Sequence, residues 1–561
     1  MKLNRRGALG ALGLAASGCS TPADQGTGGD VRFLHGVASG DPATDSVVLW
    51  TAVTPGAVRA GRLPIHAEIS ETETFAAPRD LGRAEVRAAD GWTFKTVVGS
   101  LKPGTDYFYR FRCGEAVSPV GRTRTLPEPT STASVTFAVA SCAQFTSGFF
   151  NAYAEIAKMD RLDAVIFLGD YIYEYGYEPG GYGSASAERL GRMPEPMHEC
   201  VTLDDYRQRL AQARREPELQ AAHARAPWIV AFDDHEVTND PWTGGAQNHQ
   251  PETEGDWTAR KAAALTAWFE WMPIRPPVSR DADGLARASR RSFHFGKSAS
   301  LHMLETRLLA RSEPLDYAAH YDPADPEPFR ARLNDPGRRL MGEEQLAWLE
   351  AGCRDAVSAG CAWQVLGNQV VMARVEGPRL PGGMTPEAVA AAVAAAPDYR
   401  RASLAQRLDA YSRNLPLSLN AWDGYPAERE RLYAALRAAG ARPAVVSGDS
   451  HTFWVNSLAD GEGRPVGPEF ATSAVSSPPS STRTLLPGED MGALIAAQSA
   501  EVDYVEFIPR GFIRVTFAPN RAEAELIGLS TVESRDYEAV SLGIWTSDAL
   551  PRGGSTRPRR I

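Results

Sequence analysis

The sequence predicts a small all-β domain followed by a larger α/β domain. Short β-rich runs, separated by clusters of Gly, Pro and Asp, occupy residues 31 to about 126 at the spacings of a β-sandwich. Beyond them, an apolar run at 135–140, a helical pattern at 149–158 and a second apolar run at 164–168 follow one another. Because strand, helix and strand at this spacing form a βαβ unit, the second domain is expected to contain parallel strands.

The N-terminal residues 1–30 have the pattern of an export signal. The Arg5-Arg6 pair precedes an apolar run at 7–18 that is too short for a membrane span, which needs about 20 apolar residues. Adjacent arginines favour twin-arginine export to the periplasm or the extracellular side, and an ordinary secretory signal is the alternative. Cys19 stands where a lipoprotein carries its acylated cysteine. It is therefore a candidate lipid anchor to a membrane, and cleavage near this point is the alternative.

The all-β domain is predicted over residues 31–128. Its clearest β-rich runs are those at 47–51, 64–69 and 92–98. After a Pro-Gly turn, Tyr107, Tyr109 and Phe111 occupy alternate positions and so share one face of a strand. A turn entering such a strand resembles the tyrosine corner of immunoglobulin-like and fibronectin type III domains. A polar, Pro-containing linker at 126–132 marks the end of this domain.

The α/β domain is predicted over residues 134–545, and residues 546–561 are expected to form a flexible tail. Further strands are expected from the apolar runs at 228–232, 443–447, 507–517 and 522–529. Helices are expected from the apolar spacing at 204–213, 346–357, 387–396 and 427–438. No segment after residue 30 approaches the length of a membrane span, so no transmembrane helix is expected.

The composition argues against several classes of protein. Among 561 residues, 59 Lys and Arg against 69 Asp and Glu give a formal net charge of −10. A nucleic-acid-binding surface needs net basic charge to neutralise phosphates, so none is expected. Ten His and six Cys are too few for a His-rich metal store or a disulfide scaffold. Five cysteines follow Cys19, and an odd number leaves at least one of them unpaired.

Four of the predicted strands end in side chains of the types that bind metals. In chain order these are Cys142, then Asp170 and Tyr173, then Asp234 and His235, and finally Asp449 and His451. Since the carboxyl ends of the strands in an open α/β sheet face one crevice, we expect these side chains to meet. Each residue has an alternative role when it is considered alone. Asp170 would then be the cap of a helix, and Cys142 would be a small buried hydrophobic residue.

The ligand types indicate two unlike cation sites that share a carboxylate. A thiolate from Cys142 and a phenolate from Tyr173 select a highly charged transition ion over Mg²⁺ or Ca²⁺. The carboxylate oxygens of Asp234 and Asp449 suit Ca²⁺, Mg²⁺ or Mn²⁺. A carboxylate such as Asp170 can bridge two cations a few ångströms apart. The sequence therefore predicts an iron-type pocket beside a pocket for a hard divalent ion.

The same motifs carry a family resemblance. Gly169-Asp170-x-x-Tyr173 resembles the strand-end motif of purple acid phosphatases, and a fuller set resembles the alkaline phosphatase D (PhoD-like) family of metallophosphoesterases. The set consists of Phe33-x-His35-Gly36-Val37-Ala38-Ser39-Gly40-Asp41-Pro42, Ala140-Ser141-Cys142, Leu168-Gly169-Asp170-Tyr171-Ile172-Tyr173-Glu174-Tyr175, Phe232-Asp233-Asp234-His235-Glu236-Val237-x-Asn239-Asp240, Trp422-Asp423-Gly424-Tyr425 and Gly448-Asp449-x-His451. These motifs follow the family's order and cover nearly all of the chain after the signal.

The resemblance implies a fold and a set of ligands. The α/β domain would be a four-layer αββα sandwich, preceded by an immunoglobulin- or fibronectin-like domain. The residues implied to hold Fe³⁺ are Cys142, Asp170, Tyr173 and His451. The residues implied to hold one or two Ca²⁺ are Asp170, Asp234 and Asp449, with Asn239 as a further candidate. Mn²⁺, Mg²⁺ and Zn²⁺ are alternatives in this second site.

The resemblance also implies a role for His235, which would lie beside the phosphate and assist the leaving group. Two departures from the family pattern, Glu305 in place of Asp and Ser450 in place of Val, remove no ligand.

Arg307 is a candidate for binding a phosphate oxygen, and a structural ion pair is the alternative.

The resulting hypothesis is an exported, metal-dependent phosphoesterase. It would hydrolyse phosphate monoesters, diesters or both by attack of a metal-bound hydroxide on small-molecule or lipid substrates. A phospholipase D-type phosphodiesterase on the same metal centre is the first alternative. A non-catalytic cell-surface binding protein is disfavoured by the intact ligand set. A redox iron protein is disfavoured because the ligands are mostly hard oxygens.

Overall fold

The computed structural model describes residues 31–56, 61–380, 383, 385–395, 398–551 and 553–561. The predicted export signal, its Arg5-Arg6 pair and the candidate lipid anchor Cys19 lie outside these ranges. Within them, no helix has both the length and the apolar character needed to cross a membrane. The five cysteines that the structure describes are all buried and free.

The described residues form 24 strands and 14 α-helices. The strands of the N-terminal part are β1 (Val37–Gly40), β2 (Val47–Ala52), β3 (Arg62–Ser70), β4 (Arg79–Arg87), β5 (Thr93–Val98), β6 (Asp106–Cys113), β7 (Ala116–Val117) and β8 (Gly121–Arg124). The strands that follow are β9 (Val135–Ala140), β10 (Ala164–Phe167), β11 (Trp228–Val230), β12 (Pro241–Trp242), β13 (Gly245–Ala246), β14 (Arg291–Phe295), β15 (Ala299–Met303), β16 (Trp363–Gly367), β17 (Pro443–Ser447), β18 (Phe453–Ala459), β19 (Pro465–Ala471), β20 (Val502–Glu506), β21 (Arg510–Ala518), β22 (Arg521–Leu529), β23 (Ala539–Asp548) and β24 (Arg559–Arg560).

The helices all lie in the part of the chain after β9. They are α1 (Asn151–Lys158), α2 (Ser184–Leu190), α3 (Leu203–Arg214), α4 (Pro217–Arg225), α5 (Pro251–Glu254), α6 (Trp257–Trp271), α7 (Ala282–Ala288), α8 (Tyr317–His320), α9 (Glu327–Leu333), α10 (Gly342–Ser358), α11 (Pro386–Ala395), α12 (Asp398–Ser412), α13 (Pro426–Ala438) and α14 (Met491–Gln498). Every helix predicted from apolar spacing is present, as α1, α3, α10, α11 and α13.

Two large sheets organise the chain. The first has ten strands in the order β24-β23-β22-β21-β9-β10-β11-β1-β2-β5. Its centre contains the predicted βαβ unit, since β9 pairs in parallel with β10, and β10 in parallel with β11. The second sheet has seven strands in the order β14-β15-β16-β17-β19-β18-β20, and its central pairs are also parallel. The parallel α/β character predicted from the sequence is therefore confirmed.

The two sheets pack face to face between layers of helices. Alternate residues of β9 divide between two cores, because successive side chains of a strand point to opposite faces. Phe137 and Val139 lie in the core between the sheets, whereas Ala138 and Ala140 pack beneath the helices that cover the first sheet. Helices α10, α12, α13 and α14 cover the outer face of the second sheet. The layers are thus helix, sheet, sheet, helix, which confirms the expected αββα arrangement.

The N-terminal region is all-β, as predicted, and its strands divide between two sheets. Strands β4, β3, β6 and β7 form a smaller sheet in that order, with β8 also paired to β6. Strands β1, β2 and β5 instead extend the ten-stranded sheet, where β1 pairs in parallel with β11. A core that includes Leu49, Ile65 and Tyr109 lies between these two sets of strands. The division of the chain at 128–134 stays a prediction, because strands from both sides of it share one sheet.

The tyrosine-corner pattern is present in β6. Its burial alternates along the strand, with Tyr107, Tyr109 and Phe111 on the buried face. The backbone N–H of Lys102 donates to the Tyr107 hydroxyl at 2.9 Å. This bond joins the start of the strand to the turn before it, as in the tyrosine corner of β-sandwich domains.

The C-terminal residues depart from the expected flexible tail. β23 extends to Asp548, and β24 pairs with it through Arg560 opposite Trp545 and Arg559 opposite Thr546. The guanidinium of Arg559 also donates to Asp548 at 3.0 Å. Backbone pairing and this ion pair hold the described end of the chain on the edge of the ten-stranded sheet.

Candidate metal centre and active site

The strand ends predicted to converge do meet in the structure. Three groups of ligand-type side chains each have their binding atoms within 4.8 Å of one another. The groups are Cys142 with Asp170 and His451, Asp170 with Asp234 and His235, and Asp233 with Asp234 and Asp449. Asp170 and Asp234 each belong to two groups, so the three groups form one continuous cluster. The loops come from both large sheets, since Asp449 and His451 follow β17 and the others follow β9, β10 and β11.

Unusual backbone conformations aim several of these side chains. Cys142, Asp170, Asp449 and His451 have φ values of 62°, 60°, 60° and 53°, in the left-handed region that L-residues rarely adopt. Such conformations persist where the surrounding structure fixes them, and they are frequent at functional sites. Gly169, at φ 111°, is required for a related reason, because a Cβ there would lie 2.3 Å from the Cβ of Asp233.

A buried carboxylate ties two of the loops together. Glu236 accepts backbone N–H bonds from Asp170 at 3.0 Å, Tyr171 at 2.5 Å and Asp233 at 2.7 Å. The loops after β10 and β11 are thereby fixed to each other through one side chain. Charge-assisted bonds to backbone N–H groups are stronger than neutral ones, so Glu236 makes the backbone that carries the cluster rigid.

The iron-type pocket predicted from the sequence is assembled around Tyr173. Its hydroxyl donates to Asp170 Oδ2 at 3.0 Å, lies 3.1 Å from His451 Nε2 and accepts from Ser477 Oγ at 2.8 Å. The Nδ1–H of His451 donates to the carbonyl of Pro478 at 2.7 Å. This bond leaves the lone pair of Nε2 directed at the pocket, because the N–H on the other ring nitrogen is held by the carbonyl.

Burial controls the protonation of this pocket. Burial, reinforced by the charge of Asp170, raises the pKa of the Cys142 thiol and of the Tyr173 hydroxyl well above their usual values. Both groups therefore stay neutral unless a cation compensates their charge. A thiol, a phenol, a carboxyl and an imidazole within reach of one point fit a highly charged transition ion better than an alkaline-earth ion.

The second pocket is a cluster of acidic side chains around Asp234. Asp234 Oδ2 accepts from the backbone of Asp240 at 3.1 Å. Its Oδ1 is buried, has no hydrogen-bond partner among the described residues and lies 3.4 Å from Arg307 Nη2. Burial raises the pKa of Asp170 well above its usual value, and the neighbouring Asp234 adds to that shift. Burial would also favour neutral Asp234, but Arg307 and His235 outweigh it and hold its pKa low. A buried carboxylate oxygen that accepts no hydrogen bond and lies beside a shared acidic group fits a divalent cation.

His235 lies between the two pockets. Its Nδ1 lies 2.7 Å from Glu174 Oε2, its ring stacks on Tyr173 with 4.0 Å between centroids, and its Nε2 lies 4.0 Å from Asp234. Burial opposes protonation of His235, but the carboxylates of Asp234 and Glu174 outweigh it and raise its pKa well above the usual value. Glu174 itself is completely buried and also accepts from Thr238, Asn239 and Asn248. Glu174 thus fixes the tautomer and the orientation of the imidazole.

Arg307 occupies the interior of the acidic cluster. Its side chain is completely buried, and it donates to Asp233 through Nε and Nη2 and to Asp449 Oδ1 at 2.7 Å. Its Nη1 donates to Asn420 Oδ1 at 3.2 Å. This placement corresponds to the ion-pair alternative raised from the sequence. Its role in binding a phosphate oxygen stays a prediction.

Several residues of the site were not singled out from the sequence. Asp233, Glu174 and Glu236 lay inside the quoted motifs without an assigned role, whereas Ser477 and Asn420 lay outside all of them. Asn239, a candidate ligand, donates its side-chain N–H to Gln247 Oε1 at 2.9 Å, and its role as a ligand stays a prediction. The only sequence signal for Asp233 was its position directly after an apolar strand. Asp234, the next residue, has the same signal.

Comparisons with known proteins agree with this geometry. Residues 137–526 match the profile of the family described as PhoD-like phosphatase, and residues 18–127 match the profile of the PhoD-like phosphatase N-terminal domain. Alkaline phosphatase D of Bacillus subtilis (strain 168) is 33% identical over 509 residues, which span 88% of this chain and 77% of that protein.

Two solved structures are also similar. The structure of PhoD superposes with a TM-score of 0.77 at 29% identity, covering 94% of this chain and 92% of the other. The purple acid phosphatase PPD1 from yellow lupin (Lupinus luteus) seeds superposes with a TM-score of 0.51 at 10% identity, covering 92% of this chain and 74% of the other. At that identity the second likeness concerns the fold alone.

Proposed function

The chain belongs to the PhoD-like phosphatase family and is a hydrolase that acts on phosphoester bonds, and from this premise we propose that it is an exported, metal-dependent enzyme acting on phosphate monoesters, diesters or both. The observation that carries the metal dependence is the sharing of Asp170 and Asp234 among adjoining ligand groups. A carboxylate shared between two cation sites can hold both cations close enough to act on one phosphoryl group.

The donor sets support different metals in the two pockets. Fe³⁺ would be held by Cys142, Asp170, Tyr173 and His451. Ca²⁺ would be held by Asp170, Asp234 and Asp449, with Asn239 as a further candidate, and Mn²⁺, Mg²⁺ or Zn²⁺ are alternatives. When bound, such ions lower the pKa of a coordinated water towards ~7 and neutralise the charge that builds on the phosphoryl oxygens.

The protein side chains would then hold and move protons around the phosphoryl group. During hydrolysis a bond forms between phosphorus and the oxygen of water, and the bond from phosphorus to the ester oxygen breaks. We assign His235 to donate the proton that the departing ester oxygen takes up, because Glu174 holds its Nδ1 and leaves Nε2 on the side of Asp234. Arg307 keeps Asp233 and Asp449 in position and compensates part of their charge.

Export and tethering remain part of the proposal. The Arg5-Arg6 pair supports twin-arginine export to the periplasm or the extracellular side, and Cys19 supports a lipid anchor. Both features could be tested by expressing the full chain in its host, fractionating the cells and measuring the mass of the mature N-terminus.

Metal reconstitution combined with a substrate panel tests the proposed function. The purified full chain would be freed of metal with a chelator, reloaded with Fe³⁺ and Ca²⁺, and assayed on p-nitrophenyl phosphate, bis(p-nitrophenyl) phosphate and phosphatidylcholine. We expect activity to disappear on chelation and to return only when both metals are supplied. Full activity in protein that elemental analysis shows to be metal-free would overturn the metal dependence.

The same panel addresses the phospholipase D-type alternative. A higher specificity constant for the diester and for phosphatidylcholine than for the monoester would favour that alternative over a phosphomonoesterase.

Asp325→Asn is a matched control, because it removes an exposed carboxylate remote in sequence from every proposed ligand. Its metal content and activity should equal those of the unmodified protein.

A further inference from the structure

A cavity of about 520 Å³ opens beside the acidic pocket. Its volume lies within the range of 300–1,000 Å³ that is typical of small-molecule sites. The residues that matter for its chemistry are Asp240, Trp242, Leu315, Tyr317, Arg407 and Asn420. Of the residues that line the cavity, only Asp240 lies in the sequence motifs, and no role has been assigned to the cavity itself.

The wall of the cavity is continuous with the metal centre. Asp240 donates its backbone N–H to Asp234 Oδ2 at 3.1 Å, and its side chain accepts from the amide of Asn420. Asn420 in turn accepts from Arg307 at 3.2 Å. Asp240 and Asn420 therefore contact the acidic cluster while they also line the cavity. A phosphoester held at the cluster would have the cavity next to it.

One side of the cavity is apolar and held in place by the fold. Trp242 belongs to the β12–β13 hairpin, and its ring lies over Gly245, where a Cβ would come within 2.9 Å of that ring. Leu315 and Tyr317 are buried, and the Tyr317 hydroxyl donates to the Pro416 carbonyl at 2.7 Å. A fixed apolar surface of this kind favours a leaving group with an apolar or aromatic body.

Arg407 on α12 supplies an uncommitted positive charge. It is exposed, and it makes no hydrogen bond or ion pair within the described residues, although it lines the cavity. Asp240 and Asp316 also line the cavity, and neither is paired with Arg407. Asp240 accepts from Asn420, and Asp316 accepts from the backbone at the start of α8, so their hydrogen bonds come from neutral groups. The other charged or titratable groups that line the cavity are Glu313 and His320.

We propose that this cavity holds the leaving group of the phosphoester and that Arg407 selects leaving groups that carry an anionic group. This inference rests on the proposed function. The substrate class would be phosphoesters of an alcohol or phenol that has an apolar body and a second negative charge, such as a carboxylate. Arg407 would bind that charge without taking part in the bond rearrangement at phosphorus.

A matched pair of substrates tests the role of Arg407. 4-Carboxyphenyl phosphate and 4-carbamoylphenyl phosphate have the same shape and differ in the charge of the leaving group. The measured quantity is the ratio of their kcat/KM values, in which effects common to both esters cancel. We expect Arg407→Gln to lower this ratio by about fivefold, the effect of one lost charge-assisted bond at an exposed site, and Arg407→Glu to lower it further. Arg354→Gln removes an exposed charge on α10 and should leave the ratio unchanged.

The outcomes separate this inference from the proposed function. If the unmodified protein hydrolyses both esters and neither Arg407 variant changes the ratio, the inference fails and the phosphoesterase function stands. If no ester is hydrolysed after metal loading, the proposed function fails. Calorimetric titration with the free leaving groups 4-hydroxybenzoate and 4-hydroxybenzamide then still tests the cavity. Preferential binding of 4-hydroxybenzoate that is lost in Arg407→Glu supports the inference, and equal binding of both compounds overturns it.

Discussion

Replacing Arg307 with Gln should destabilise the fold rather than weaken substrate binding alone. The Arg307 side chain is 0% exposed and that of Asp233 is 2% exposed. Both carboxylate oxygens of Asp233 are bonded to Arg307, so the substitution leaves a buried carboxylate without a partner. Breaking a buried ion pair by removing one partner costs about 3–5 kcal/mol. Because the unfolding entropy is about 2.1 cal/mol/K per residue, this loss should lower the melting temperature of a chain of 561 residues by about 3–4 °C.

Thermal and urea unfolding of metal-loaded and chelated protein measure this effect. Asp233→Asn and the double variant complete a thermodynamic cycle, and the double variant should lose less stability than the sum of the two single variants. Steady-state kinetics on p-nitrophenyl phosphate provide the second measurement. An Arg307→Gln protein with unchanged stability and a raised KM would refute this reasoning and favour the phosphate-binding role predicted from the sequence.

Three further substitutions test separate parts of the structure. Cys142→Ser should abolish binding of the proposed iron and its visible absorption, because a hydroxyl is a poorer ligand for that ion than a thiolate. An unchanged spectrum would show that Cys142 is not a ligand. Glu174→Gln should lower kcat by about tenfold at constant metal content, since it weakens the orientation of His235, the proposed general acid, and general acids contribute about 10²–10⁴-fold. Loss of metal instead would assign Glu174 to the metal site. Tyr107→Phe should destabilise the N-terminal sheet by about 1 kcal/mol through loss of its bond from Lys102, and equal unfolding curves would contradict this.

The sequence predicted the first sheet better than the second. Strands β10 and β11 of the first sheet are continuous apolar runs, which is the pattern of strands buried on both faces. In the second sheet, the run at 443–447 predicted β17 in the same way. Strands β15, β16 and β19 contain His, Gln, Pro or Gly at buried positions, so their composition gave no clear signal. These segments form strands because they pair with neighbouring strands in the folded protein, and local propensity alone does not determine their structure.

The sequence also did not predict that strands of the N-terminal region continue the ten-stranded sheet. The pairing of Gly40 with Trp228 joins residues that are 188 positions apart, and no local pattern encodes such a contact. The Asp41 carboxylate strengthens the same junction by accepting from the backbone of Arg275 at 2.7 Å and from the guanidinium of Arg291 at 2.9 Å. The quoted motif that contains Asp41 therefore has a structural role at this junction.

The convergence of the candidate ligands could be predicted because chain direction determines it. Parallel strands deliver their carboxyl ends to one edge, so a polar residue after each apolar run was sufficient evidence. The partners of those residues could not be predicted in the same way. Glu174 and Arg307 are defined by burial and by contacts between distant segments, and a charged residue in a sequence is exposed more often than buried.

Metal stoichiometry in the Asp170→Asn variant tests the central claim most directly. Because Asp170 belongs to two of the ligand groups, its loss should empty both pockets, whereas Cys142→Ser should empty the iron-type pocket alone. Elemental analysis of the purified full chain should find one iron and one or two divalent ions in the unmodified protein and in Asp325→Asn. It should find neither metal in Asp170→Asn. An Asp170→Asn protein that retains both metals at the unmodified stoichiometry would contradict the shared-carboxylate centre.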